Sequence, residues 1–147
     1  MDNLLLYVAA FIMSGSNVQP ENYGSFPNVE YVRNYDGDTV TVNIDGVHDI
    51  IGKEIPIRLK GIDTPEINGN CPEEISLAQT AKEFVTNHLN NATVINLNNI
   101  DRDKYFRILA DMEYDGVNLA SVLLNNGYAV EYSGGTKINW CEYLNNE

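Results

Sequence analysis

The sequence predicts a mixed β-barrel with helices, best matched by a five-stranded OB-type barrel, with an open α+β sheet as the alternative. Three observations carry this expectation. Short stretches with strand alternation recur along the chain, one long helical pattern interrupts them, and 147 residues suffice for one domain around one core.

The first element is an apolar run, Leu4 to Met13, followed by Ser14-Gly15-Ser16. At about 10 residues it is too short to span a bilayer as a helix. It has the length of an export-signal core, with small residues where a peptidase cuts, although Asp2 makes its start acidic. Residues 1–16 are therefore read as a signal peptide of a secreted or periplasmic protein. A buried N-terminal segment or a lipid-associated end is the alternative. Residues 17–28, rich in Asn, Pro, Gly and Ser, read as a linker, and 29–147 as the folded domain.

Val29 to Tyr35 reads as a strand. Val40, Val42 and Ile44 alternate with Thr39, Thr41 and Asn43 in a second, closed by the Asp45-Gly46 turn. Ile55, Ile57 and Leu59 alternate with Pro56, Arg58 and Lys60 in a third, where Pro56 demands an edge or a bulge. Pro72 to Asn90 is the main helix: Pro72, Glu73 and Glu74 suit its first turn, and Ile75, Ala78, Ala81, Phe84 or Val85, and Leu89 form its apolar stripe. Strands are expected at Ala92–Leu97 and Phe106–Tyr114, then a helix over Val117–Asn126 stopped by Gly127, and a last strand over Tyr128–Tyr132.

A net charge of −12 and a pI near 4.4 argue against passive adhesion to nucleic acid. Five of the nine basic residues, Arg58, Lys60, Arg102, Lys104 and Arg107, nevertheless lie in or beside four strings that can do chemistry together. These are Asp36-Gly37-Asp38-Thr39, the Arg58 strand, Asp63-Thr64-Pro65-Glu66, and Asp101 to Arg107. A phosphodiester resists attack because its anionic oxygens repel nucleophiles, so a catalyst must neutralise the phosphate, orient water and remove a proton. Asp38 and Asp63 offer hard oxygen ligands to one divalent cation, and Glu66 offers a base. Arg58 and Arg107 offer bidentate, permanently charged contacts to phosphate. Asp36 reads as a turn residue only, and Arg58 reads equally well as an exterior strand charge. The residues after Asp38 lack the later ligands of an EF-hand loop.

Cys71 and Cys141 have no metal-ligand spacing, and His48 and His88 are scattered, so zinc is not expected. An even pair of cysteines behind an export-like N-terminus suggests one disulfide, with two free thiols as the alternative.

Together the strings resemble the staphylococcal (thermo)nuclease family, over roughly Val29 to Tyr132. The resemblance implies an OB-fold barrel, one calcium ion (Ca2+), and hydrolysis of DNA and/or RNA leaving 3′-phosphate ends. It implies Asp38, Asp63 and the Thr64 carbonyl as metal ligands, Arg58 and Arg107 as catalytic cations, and Glu66 as the water-directing carboxylate. Lys104 and Tyr105 become substrate contacts, with Tyr132 the nearest counterpart of a base-stacking tyrosine. Phe106 departs from the best-known member of the family, which has glycine before the arginine. The short tail resembles a bacterial branch in which Cys141 is tied back to Cys71. No stable protein partner is implied, and a monomer is expected. Two other classes stand beside this reading: a catalytically inactive OB module that binds nucleic acid or peptide, and an acidic DNA mimic, which has neither metal site nor turnover.

Overall fold

The structure, a computed structural model, describes residues 22–146; the expected export signal lies outside them. The elements are β1 (Glu30–Asn34), β2 (Thr39–Asn43), α1 (Asp49–Gly52), β3 (Ile55–Leu59), β4 (Ile62–Asp63), α2 (Pro72–Asn90), β5 (Ile95–Arg102), β6 (Ile108–Tyr114), β7 (Val117–Asn118), α3 (Leu119–Asn125), β8 (Val130–Glu131) and α4 (Trp140–Asn145).

The main sheet runs β1-β2-β3-β6-β5, with β7 added to β6, and β4 pairs with β8 in a small second sheet. All neighbours are antiparallel except β3 and β6, which are parallel. The sheet does not close by a pair of strands, but it is barrel-like. The segment leading into β1 hydrogen-bonds along β5, through Phe26 with Leu97 and Val29 with Ile95, so the two edges come round the core. The described part of the expected linker, from Asn22 onward, therefore lies against the domain. Pro56 keeps its edge character inside a central strand: it faces Thr41 of β2, while pairing with β6 begins only at Ile57.

The inward residues of the strands, Val40, Val42, Ile57, Leu59, Leu97 and Met112 among them, meet Val85 and Leu89 of α2 and Leu119 and Leu123 of α3. Burying each such side chain contributes about 1.5–3 kcal/mol. A polar bolt fixes α2 to β1: Asn34 is buried, donates to the Asp36 and Lys82 carbonyls, and accepts from Tyr31 and Thr86 hydroxyls.

Several expectations are corrected. Ile75 is exposed, and Glu74 takes the buried place at the start of the α2 stripe. β5 is shifted and longer than expected because pairing with β6 overrides the weak strand preference of Asn98 and Asn99, at the cost of a bulge between Asn98 and Asp101. The Val117 helix begins only after a short strand, where the Asn118 side chain caps the Ser121 amide. The tail forms α4, capped by Asn139, which accepts from the Cys141 and Glu142 amides.

Candidate active site

The Asp36-Gly37-Asp38 string makes a tight turn into β2. The Asp36 carboxylate accepts from the Asp38 and Thr39 amides, which is the turn role expected of it. Gly37 is required by close approach: a Cβ there would lie 2.9 Å from the Thr64 methyl and 3.2 Å from the Ala81 Cβ. The turn thus presses against both α2 and the Asp63-Thr64 strand end. Asp38 Oδ2 accepts the Thr64 amide at 2.9 Å, joining the first string to the third.

Arg58 settles between the two carboxylates. It is only 6% exposed, so it is not an exterior charge. Its Nη1 is 3.0 Å from Asp38 Oδ2 and its Nη2 3.4 Å from Asp63 Oδ1. The same guanidinium donates to the Leu59 and Ile62 carbonyls, so Arg58 also braces the turn that carries Asp63. Burying such a cluster costs several kcal/mol per ion, which neighbouring charges only partly return.

The cluster carries surplus negative charge. Burial, and after it the nearby Asp36 charge, push the Asp38 carboxyl up from 3.8 to about 7, against the opposing pull of Arg58, the Thr64 amide and the nearby Thr64 hydroxyl. The Thr64 hydroxyl is buried with no partner in hydrogen-bonding geometry. Two buried carboxylates are hard oxygen donors suited to a divalent cation, so calcium fits the residues present.

Two residues that the strings did not reveal complete the site, both from the tail. Lys137 Nζ lies 2.8 Å from Asp63 Oδ1 and 3.2 Å from Glu66 Oε1. Its partial burial opposes the charge, but Asp63 and then Glu66 outweigh this and hold the ammonium above its ordinary range. Trp140, 4% exposed, donates from Nε1 to Asp63 Oδ2 at 3.1 Å. They reach the site because Cys141 is bonded to Cys71, 70 residues away in sequence and just before α2. The expected bridge is therefore present. No local pattern marks Lys137 or Trp140; the pairing of Cys71, five residues after Glu66, with the tail was the available signal.

Glu66 stands at the rim with its side chain half-exposed, its amide bonded to the buried Glu74 carboxylate. Glu74 also accepts the Asn70 amide, and so shapes the loop between Glu66 and α2. Among the described residues, Cys71, Glu74 and Cys141 are the one group with three ligand-type atoms within 4.8 Å of one another. Their sulfurs are spent on each other, leaving a single carboxylate there.

Arg107 is not drawn into this cluster. Its Nε is 2.6 Å from Asp103 Oδ2, in the exposed turn that also carries Lys104 and Tyr105. The register does bring its strand alongside: Leu109 faces Arg58, so Arg107 precedes that level by two residues, about 7 Å of strand. Tyr132 turns its hydroxyl to the Gly135 carbonyl and braces the loop leading to Lys137.

Residues 56–143 match the family described as "Staphylococcal nuclease homologue". The chain is 30% identical over 119 residues to a thermonuclease of Staphylococcus hyicus, covering 73% of this chain and 66% of that protein. It is also 32% identical over 155 residues to an uncharacterized protein of Methanocaldococcus jannaschii, covering 86% of this chain and 72% of that protein. The chain thus spans just under two thirds of the thermonuclease it matches.

Proposed function

Because the chain belongs to the staphylococcal nuclease homologue family, we propose that it is a calcium-dependent nuclease that hydrolyses DNA and/or RNA to 3′-phosphate ends. The observation that carries this reading is the convergence of Asp38, Asp63 and Arg58 in one buried cluster, with Glu66 at its rim. The site resembles a built charge trap and is a poor stability device, since an apolar core of the same volume would fold as well or better. An inactive binding module has no use for that cost.

Calcium, held by Asp38, Asp63 and the Thr64 carbonyl, would supply charge neutralisation at a phosphate oxygen and orient water. Arg58 already points its guanidinium between the two carboxylates and is placed to take a second phosphate oxygen as charge builds. Arg107 reaches the phosphate by leaving Asp103, an exposed pair that is cheap to break. Glu66 accepts the proton of the attacking water. The water oxygen bonds to phosphorus, the bond to the 5′-oxygen breaks, and that oxygen takes a proton from solvent, leaving a 3′-phosphate and a 5′-hydroxyl. Glu66 is free for this only when Lys137 withdraws, and its half-exposed side chain can do so. The disulfide also supports an exported enzyme.

The test incubates the full chain with single-stranded DNA and with RNA, in calcium and in chelator. Hydrolysis confined to calcium is expected, and Asp38→Asn with Asp63→Asn removes both turnover and the calcium-induced rise in melting temperature. Binding without turnover in calcium would make the chain an inactive module, and neither binding nor turnover would make it an acidic mimic.

A further inference from the structure

The turn between β5 and β6 holds a feature that the hydrolytic site does not use. Phe106 is 78% exposed and adopts φ 68°, the left-handed region that a bulky L-residue enters only under constraint. It buries little and is strained, so neither packing nor turn chemistry accounts for a phenylalanine there. The turn is closed by its own hydrogen bonds. Asp103 accepts from the Tyr105 and Arg107 amides with Oδ1, and its backbone pairs with Phe106 and Arg107. Beside Phe106 stands Tyr105, 69% exposed. The Arg102 guanidinium lies 4.1 Å from the Phe106 ring centre, and Lys104 Nζ 5.2 Å from the Tyr105 ring centre.

We propose that Phe106, with Arg102 stacked on it, is a stacking platform for an unpaired nucleic-acid base, a positioning contact for the substrate that this chain supplies from a turn residue of its own. This rests on the nuclease reading above. Charge and rings together point to the occupant: in a chain of net charge −12, Arg102, Lys104 and Arg107 outnumber Asp101 and Asp103 on this one turn beside two exposed rings. Cations that track a backbone beside rings that stack bases are the recognition chemistry of single strands. A duplex keeps its base faces stacked inside and offers the rings nothing comparable. Arg107 directly follows Phe106, so a base held on the ring leaves the adjoining phosphate next to the arginine that the hydrolysis requires.

Fluorescence anisotropy of a labelled single-stranded oligothymidylate, in calcium-free buffer so that nothing is cut, compares the full chain with Phe106→Gly and Phe106→Leu. Both variants are expected to lose affinity by roughly tenfold or more, the scale of one base stack. A hairpin duplex of equal length should bind weakly and be insensitive to both changes. Phe106→Gly relieves the positive φ, so its melting temperature should equal or exceed that of the parent, which rules out misfolding as the cause. With calcium, the variants should raise KM for single strands. Unchanged single-strand affinity in Phe106→Gly, the outcome also expected if the platform serves a protein partner, overturns the proposal, as does equal binding of the duplex. Absence of hydrolysis by the parent chain would instead sink the nuclease reading while leaving the calcium-free comparison intact.

Discussion

Replacing Cys71 and Cys141 together by alanine is expected to lower the unfolding free energy by about 4 kcal/mol. The bridge joins residues 70 apart in sequence, and freeing a loop of that length returns about 4 kcal/mol of entropy to the unfolded chain. With an unfolding entropy of about 2.1 cal/mol/K per residue, each kcal/mol shifts the midpoint by about 4 °C in a domain of this size, so the expected drop is about 15 °C. Alanine is the right replacement because Cys71 occupies the N-cap position of α2 without capping it. Serine there would add a cap worth about 1 kcal/mol and mask part of the loss. The native state should otherwise hold, since α4 stays docked through buried Trp140 and its bond to Asp63. The assay is thermal unfolding followed by circular dichroism, with and without a thiol reductant. The parent should fall to the variant's midpoint on reduction, and the variant should not respond. A variant midpoint within about 3 °C of the oxidised parent would refute the reasoning, because it would show that packing alone holds the tail.

The two arginines should separate. Arg58→Ala and Arg107→Ala are each expected to slow hydrolysis by on the order of 10²-fold. Arg58→Ala strands two buried carboxylates and should also cost on the order of 3–5 kcal/mol of stability, whereas exposed Arg107→Ala should stay within about 1 kcal/mol of the parent; equal melting losses would contradict the buried role. Trp140→Phe removes the donor to Asp63 Oδ2 and should cost about 1.5–3 kcal/mol, a loss that shrinks when Asp63 is already Asn, as a double-mutant cycle would show. Asp38 gives the pH dependence: the unfolded chain loses this proton near the ordinary 3.8 and the folded one keeps it to about 7. Between those values the folded state binds more protons, so metal-free stability should fall as pH rises, while calcium affinity should climb as Asp38 ionises. Denaturant melts across that window, with and without calcium, check both slopes, and metal-free stability that increases with pH would reject the assignment.

The sequence by itself determined the barrel's strands, its long helix and the order of the four chemical strings. Strand alternation at Val40–Ile44 and Ile55–Leu59 and helical spacing from Ala78 to Leu89 are local properties, set by which face of an element must leave water. The carboxylates were legible for the same reason, since each stands at a strand end or turn whose own residues mark it, whereas Arg58 lies inside β3. What the tertiary structure decided is how those groups are charged and who faces them. Strand alternation could not tell whether Arg58 pointed outward or inward. The answer came from Asp38 and Asp63 arriving on separate segments to meet it. Glu74 reads locally as a helix-start acid, but it is buried because the Glu66 and Asn70 amides need an acceptor. Lys137 and Trp140 reach Asp63 only through contacts more than 70 residues long, closed by a bond between two cysteines. Such pairings depend on loop closure and on the packing of the whole chain, and no window of neighbouring residues contains that information.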